Sequence, residues 1–369
     1  MTSLSMDDPT QWKAPVDTDD LSRQVHEGRE LRALDLSNRD FRGAKLGGAF
    51  FQGVDFRGTR LDGADMREAN LIECMFDGAN LTGANLHQAV LHKCSMNGAK
   101  LRGATMTGTK LIETVACDAD LGDVDLRVAS FIKCQLDGVR FTGARMERCA
   151  LVECSLARAD LRNIRLESVT LLETDLRATL IGGTEFVRCT LIKATLTGMR
   201  LEGMRFPFTQ FTEAALEGCD LSGAVLNNAG FKGAKLARAK FIKANLANAL
   251  FIEADLGGAD LRGADLTQAL FVDARLEQAN CSGATMYQCI LQRAKCRDAL
   301  FRDANLVYAD FTRADITRAD FMGAQMFRAN LHCVEDDGAR IPGRAVALGT
   351  DPELAAAQNW RPRLTLPKE

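Results

Sequence analysis

The sequence predicts an all-β solenoid, in which the chain winds into stacked coils with four short sides each. A five-residue period is the first observation: every fifth position from Leu31 to Leu331 is Leu, Phe, Met, Ile or Cys, except Ala116. A weaker twenty-residue period is the second, as in Leu-Ile-Glu-Cys at 71–74 and Leu-Val-Glu-Cys at 151–154. The third is that Pro207 alone, of seven prolines, lies within 31–331, since a backbone that pairs at nearly every position excludes proline.

Each five-residue side has room for two inward side chains. A period of five fits neither a helix of 3.6 residues per turn nor an alternating strand. The large residue at every fifth position, here called the centre, fills the axis. A small residue occupies the slot two positions before it, as Ala64 does before Met66. Twenty residues make one coil, so residues 31–331 are expected to form about fifteen turns, about 4.8 Å apart, in a rod about 70 Å long.

Caps are expected at both ends, because a stack of coils leaves its first and last faces open. Residues 1–30 contain an acidic segment suited to a short helix. In 341–369, Asp351 and Pro352 suit the N-cap and first position of another helix. The chain is therefore predicted to consist of an N-terminal cap or tail at 1–30, a repeat region at 31–340 and a C-terminal cap or tail at 341–369.

The local unit reads A-(D/N)-(L/F)-x-G, as in Ala79-Asn80-Leu81-Thr82-Gly83. In this repeat, over about four-fifths of the chain, the sequence resembles the pentapeptide-repeat family. The resemblance implies a right-handed quadrilateral β-helix with short helical or irregular terminal caps. It implies little about function, because unrelated proteins use the same coil.

The charge balance excludes a strongly basic nucleic-acid-binding protein. The formal net charge is −3, and residues 1–30 carry seven acidic and three basic side chains, so the remainder of the chain is close to neutral. No apolar run approaches the roughly 18 residues that cross a bilayer, and no secretory signal is visible. We therefore expect a cytoplasmic protein without a membrane span, and nucleic acid is disfavoured as a partner.

Twelve cysteines invite a metal or disulfide interpretation, but their spacing favours packing. Cys281 and Cys296 are centres, and eight others fill the small slot. No Cys-x-x-Cys pair exists, and no histidine is placed to complete a zinc site. Reduced, buried thiols that pack like small apolar groups are expected. The eight are Cys74, Cys94, Cys134, Cys149, Cys154, Cys189, Cys219 and Cys289.

No motif indicates catalysis. The four histidines lie in no nucleophile or metalloprotease motif, and no phosphate-binding or dinucleotide-binding glycine pattern is present. A convex rod also lacks the deep apolar pocket of most active sites. We therefore expect a protein that is not an enzyme, with no catalytic residue, cofactor or metal.

One slot, the position after the centre, is repeatedly apolar on one side of the coil, and the family geometry points it outward. Charged residues of largely alternating sign follow it, among them Glu73, Lys93 and Glu113. A row of this extent predicts a surface for a protein partner or for a homodimer. The alternative is that a terminal tail covers the row. The row consists of Ile72, Ile112, Ile132, Val152, Leu172, Ile192, Ile252 and Val272.

A second candidate surface lies on another side. Tyr287, Val307 and Phe327 stand at one-coil spacing, and Tyr308 follows Val307. Because this group precedes the C-terminal tail closely in sequence, docking of the segment around Trp360 is the favoured interpretation. A second partner surface is the alternative.

Three functions fit these observations. The first is a non-enzymatic, rod-like scaffold for protein–protein interaction. The resemblance adds two: a bacterial type VI secretion accessory or adaptor protein, and a DNA mimic that binds DNA gyrase and protects it from quinolones. Mimicry of a polyanion requires ordered negative charge, which a nearly neutral repeat region does not supply.

Overall fold

The computed structural model describes residues 14–359 and confirms an all-β solenoid with two short α-helices. The chain divides into two compact units, Met1–Leu191 and Ile192–Glu369. In each unit the centres of the five-residue sides are buried and form the core, so the five-residue period identified the core correctly. Trp360 lies outside the described residues.

The first unit begins with α1 (Thr18–His26), a helix in the predicted N-terminal cap. The side chain of Asp17 caps it by accepting the backbone N–H of Asp20 at 2.9 Å. Leu21 is fully buried, and the guanidinium of Arg39, in the first coil, donates to the carbonyl of Pro15 at 2.6 Å. The helix therefore packs on the start of the coil through the buried Leu21 and through hydrogen bonds such as that from the backbone N–H of Lys45 to the Ser22 hydroxyl at 3.0 Å.

Short parallel strands form two sheets. Their bounds are β1 (Glu30–Arg32), β2 (Phe50–Gln52), β3 (Asn70–Ile72), β4 (Val90–His92), β5 (Lys110–Ile112), β6 (Ser130–Ile132), β7 (Met146–Glu147), β8 (Ala150–Val152), β9 (Arg165–Glu167), β10 (Thr170–Leu172), β11 (Glu185–Val187) and β12 (Thr190–Ile192). The larger sheet has nine strands in the order β1-β2-β3-β4-β5-β6-β8-β10-β12, and the smaller has the order β11-β9-β7.

The number of turns formed by strands differs from the prediction. Each strand pairs in register with a strand twenty residues away, as Leu71 does with Leu91. Nine strands in the larger sheet give about eight turns, fewer than the predicted fifteen. The reason is that other sides pair through single β-bridges, again twenty residues apart, such as Asp55 with Met75.

On the sides that form strands, the chain stays extended past the centre instead of making a tight turn. We call the bend that follows such a strand an open corner. Where the slot residue after the strand is Cys or Thr, its side chain donates to the backbone. Thr114 Oγ1 donates to the carbonyl of Ile112 at 3.2 Å and to that of Leu91 at 3.1 Å. The Cys74 thiol makes the same two kinds of contact after β3. A small donor in the slot thus supports the extended side by bonding to the carbonyl two residues before it.

The second unit uses closed corners over 195–340. There the carbonyl of the centre accepts the N–H three residues later, as between Phe231 and Ala234 at 3.0 Å, which makes a tight β-turn. Its core contains a stack of four phenylalanines. The ring centroids of Phe211, Phe231, Phe251 and Phe271 are separated by 5.1, 4.8 and 4.8 Å. The repeat therefore places like residues directly above one another.

The described part of the second unit ends in a short 3₁₀ helix, Pro342–Val346, and α2 (Pro352–Asn359). The Asp351 carboxylate accepts the backbone N–H groups of Glu353 and Leu354 at 2.9 and 3.1 Å, so it caps α2 as predicted. Within 14–359, no helix has the length and apolar character that crossing a bilayer requires.

Candidate interaction surfaces

The nine-stranded sheet carries part of the predicted apolar row on its outer face. We call Ile72, Ile112, Ile132, Val152 and Leu172 the first-unit row; each ends a strand and is half-buried. Pairing in register places Ile112 beside Ile132, Ile132 beside Val152 and Val152 beside Leu172. His92 separates Ile72 from the others. The structure therefore brings four of the five into one unbroken line across four coils.

The second unit contains the rest of the predicted row, in two places. Within the second unit, Ile192 is separated from Ile252 by Thr212 and Lys232, which occupy the same position in the intervening coils. Ile252 and Val272 stand on adjacent coils, since the bridges on this side join residues twenty apart. The second unit thus has a pair of row residues rather than a line.

That pair belongs to a larger apolar group that the sequence interpretation missed. Leu250 bridges to Leu270, and Leu270 to Ile290, on the same side of the coil. With Ile252 and Val272 they form what we call the Leu–Ile patch, and all five side chains are half-buried. The sequence does contain a signal for this patch: the position before the centre is apolar in three consecutive coils.

Charged corners flank the first-unit row. Glu73, Lys93, Glu113, Lys133 and Glu153 are all exposed, and each follows a row residue directly except Lys93, which follows His92. Lys133 Nζ lies 3.8 Å from Glu153 Oε2, one coil away. An exposed pair of this kind contributes little to stability. The row consequently has an apolar centre and a rim of mixed charge.

The aromatic residues of the second candidate surface also come together. Tyr308 lies edge-on to Tyr287 and to Phe327, with ring centroids 6.0 Å apart in each contact. Tyr308 is 42% exposed and Phe327 is 53% exposed, whereas Val307 is half-buried. Val346, one coil beyond, is also exposed and accepts the N–H of Arg328 through its carbonyl at 2.9 Å. We call this group the aromatic cluster.

Ion pairs neutralise much of the remaining surface. Asp before a centre and Arg after it point outward together, and Arg57 Nη2 lies 2.6 Å from Asp55 Oδ2. The hydrogen bond from Arg57 lowers the pKa of the Asp55 carboxyl below its ordinary value of 3.8. Such pairs replace free negative charge with neutral units. The arrangement recurs at Arg67–Asp65, Arg127–Asp125, Arg162–Asp160, Arg177–Asp175 and Arg262–Asp260.

Comparison with known families identifies the repeat. The sequence model of pentapeptide repeats matches the chain in eight copies, within 35–171 and 205–332. The matched residues make up more than half of the chain. The chain belongs to the pentapeptide-repeat family. No curated protein matches the sequence.

Three solved structures illustrate what this pentapeptide-repeat protein is similar to. HetL, from the cyanobacterium Nostoc sp. strain PCC 7120 and involved in heterocyst differentiation regulation, is 25% identical, with a TM-score of 0.28 over 75% of this chain and 95% of HetL. A trypsin-treated variant of QnrB1, a plasmid-mediated fluoroquinolone resistance protein, is 18% identical, with a TM-score of 0.38 over 57% and 92%. Rfr23, from the cyanobacterium Cyanothece 51142, is 20% identical, with a TM-score of 0.22 over 37% and 97%.

Most thiols of this pentapeptide-repeat protein lie in its interior. The ten cysteines predicted to pack there are buried, and Cys117 and Cys333 are half-buried. Burial raises the pKa of Cys149 and Cys281 to about 12 and that of Cys189 to about 11, because a thiolate is poorly solvated there. Thiols of this kind stay protonated at neutral pH and are weak nucleophiles.

Two shallow grooves lie beside the helices, one in each unit. The groove next to α1 has a volume of about 460 Å³ and is lined by Ser22, His26 and Lys45 among others. The groove under α2 has about 530 Å³ and includes His332 and Gln358. In the part of the chain that the structure describes, no three His, Cys, Asp or Glu side chains gather so as to hold a metal ion. Pentapeptide-repeat proteins are generally non-enzymatic interaction proteins.

Proposed function

We propose that the protein is a non-enzymatic scaffold, acting in the cytoplasm, that binds a protein partner through the first-unit row. The unbroken line of Ile112, Ile132, Val152 and Leu172 on a regular sheet carries this proposal. Apolar side chains held by paired strands lose little conformational freedom on binding, so their contact area converts efficiently into affinity. A charged rim around an apolar centre is the usual anatomy of a protein interface.

The charge pattern favours a protein over a nucleic acid as the partner. The rim alternates Lys93, Glu113 and Lys133, so no single sign of charge dominates it. The ion pairs between Asp and Arg also remove the ordered negative charge that a mimic of DNA needs. These observations weigh against gyrase binding. An adaptor role in type VI secretion is a narrower form of the scaffold proposal, and the identity of the bound protein decides it.

A matched pair of variants tests the proposal. Ile132→Glu places a charge in the row, and Ser130→Glu places the same charge on the other edge of the same strand, β6. Both side chains are half-buried and point outward, so the folding cost is similar. Affinity capture from native lysate, followed by mass spectrometry, is expected to lose a specific protein with Ile132→Glu and to retain it with Ser130→Glu. Identical sets of captured proteins would exclude the row as the interface.

Self-association is measured on the same variants. If a second copy of the chain occupies the row, sedimentation of the wild type shows a dimer that Ile132→Glu converts to a monomer. Circular dichroism at increasing temperature serves as the folding control for both variants.

A further inference from the structure

The Leu–Ile patch is an apolar surface on three consecutive coils of the second unit. Leu250, Leu270 and Ile290 form one row, and Ile252 and Val272 form the other. Five apolar side chains grouped in this way are uncommon on a surface that faces only water. Something of the right shape and polarity is therefore expected to cover them.

Helix α2 lies on this same side of the coil. The positions equivalent to Val272 in the next three coils are Gln292, Thr312 and His332. The Nδ1 atom of His332 accepts the backbone N–H of Asp351 at 3.2 Å, at the start of α2. Leu354 and Gln358 of α2 line one groove with Gln292, Thr312 and His332. The helix thus covers the outward row immediately beyond the patch.

The last turn of α2 contacts the coil next to that of Ile290. Gln358, in its last turn, accepts a hydrogen bond from Arg313 at 2.9 Å. Residues 360–369 follow directly and lie outside the described part of the chain. Ten residues in extended form span up to about 33 Å. From Ile290 to Leu250 the distance is two coil steps, about 10 Å, so the segment is long enough.

The sequence of this segment suits a flat apolar surface. Its even-numbered positions from 360 to 366 are Trp, Pro, Leu and Leu, and the odd-numbered positions between them are Arg, Arg and Thr. Alternation of this kind puts Trp360, Leu364 and Leu366 on one face of an extended chain. Pro362 and Pro367 disfavour continuation of the helix.

We propose that residues 360–369 dock in extended form on the Leu–Ile patch and cover it. Trp360, Leu364 and Leu366 contact the patch, and the alternation leaves Arg361 and Arg363 on the opposite face of the segment. This inference goes beyond the proposed function, because the occupant is the chain itself. It leaves the first-unit row as the surface open to a partner. The docking site also differs from the aromatic cluster that the sequence suggested for Trp360.

Tryptophan fluorescence tests the docking in the full-length chain. The sequence has two tryptophans, so Trp12→Phe leaves Trp360 as the only emitter. We expect its emission at short wavelength and weak quenching by acrylamide. Adding Ile252→Glu and Val272→Glu is expected to shift the emission to longer wavelength and to raise the quenching constant severalfold, toward that of a free peptide of residues 360–369. If the glutamate variant does not fold, Ile252→Ser with Val272→Ser replaces it.

Two controls separate the alternatives. Ile112→Glu with Ile132→Glu carries the same charges in the first-unit row and is expected to leave the emission of Trp360 unchanged. Phe327→Glu alters the aromatic cluster and is also expected to have no effect. Release of Trp360 by Phe327→Glu alone would overturn the proposal, as would peptide-like emission in the parent protein. Emission that moves to longer wavelength on dilution would show that a second copy supplies the segment, which also overturns it.

Discussion

The two units build the same coil from the same repeat, and most sides of both close with a β-turn, as at Ala44 in the first unit; only the first unit also has a row of sides that run on as strands. In the first, β3, β5 and β6 run past their centres, and slot residues such as Cys74 and Thr114 bond to the carbonyl two residues earlier. In the second, closed β-turns end the sides, and phenylalanines stack at close to the coil spacing. The comparison shows that the centre fills the core in both cases, whereas the corner decides whether the outer face is a sheet.

The largest effect on the free energy of unfolding is expected from a substitution in the phenylalanine stack. Phe231→Ala removes a ring packed between Phe211 and Phe251, and a cavity of that size costs about 4 kcal/mol of unfolding free energy. Leu111→Ala in the first unit removes a smaller buried side chain and is expected to cost about 3 kcal/mol. Urea unfolding followed by circular dichroism measures both. A larger loss for Leu111→Ala would contradict this ranking.

A smaller effect is expected from exchanging the slot residues. The backbone N–H of Ala254 closes a tight turn by donating to the carbonyl of Phe251 at 3.2 Å. Ala254→Val should crowd the turn and lower the unfolding free energy by about 2 kcal/mol. Cys154→Val at an open corner loses only weak thiol hydrogen bonds and should cost less than about 1 kcal/mol. Equal losses at the two sites in the same urea experiment would contradict the distinction between the corners.

The smallest effect on stability is expected from removing an ion pair, and this effect depends on pH. The pKa of Asp55 is lowered by Arg57 in the folded protein, so the pair stabilises the fold above the ordinary carboxyl pKa of 3.8. This stabilisation is lost as the pH falls through the lowered pKa that Asp55 has in the folded protein. Asp55→Asn should therefore lower the melting temperature slightly at pH 7. The difference from the wild type should shrink in acid, and thermal scans at pH 7 and pH 3 measure it. A difference that stays constant between these pH values would mean that the charge contributes nothing.

The core could be predicted from the sequence residue by residue, because each core position is determined by its own place in the five-residue repeat. A large apolar residue at every fifth position has only the axis to fill, and all of these positions are buried. The placement of strands could not be predicted in the same way. Cys and Thr often follow a strand, but Val54 and Ala194 also do, whereas Cys219 stands at a closed corner. Whether a corner is open therefore depends on the coils above and below it as well as on its own residues.

The surfaces were predictable only in part, for a related reason. The position after the centre points outward, so the row from Ile112 to Leu172 could be assembled from spacing alone. The position before the centre is most often polar, which hid Leu250, Leu270 and Ile290 as a group. The element that lies next to these three residues is α2, and only the fold determines the position of that helix. Sequence spacing therefore finds rows along one side, whereas the structure shows which neighbouring element adjoins them.

The twenty-residue register within each unit also constrains how such a chain can change in evolution. Loss or gain of twenty codons removes or adds one coil and leaves every later side chain on its original face. Loss or gain of five codons keeps the core intact but moves all later residues of that unit to the next face, which would break the line that runs from Ile112 to Leu172. Length variants that preserve this line should therefore differ by whole coils, whereas selection for stability alone would accept any multiple of a single side.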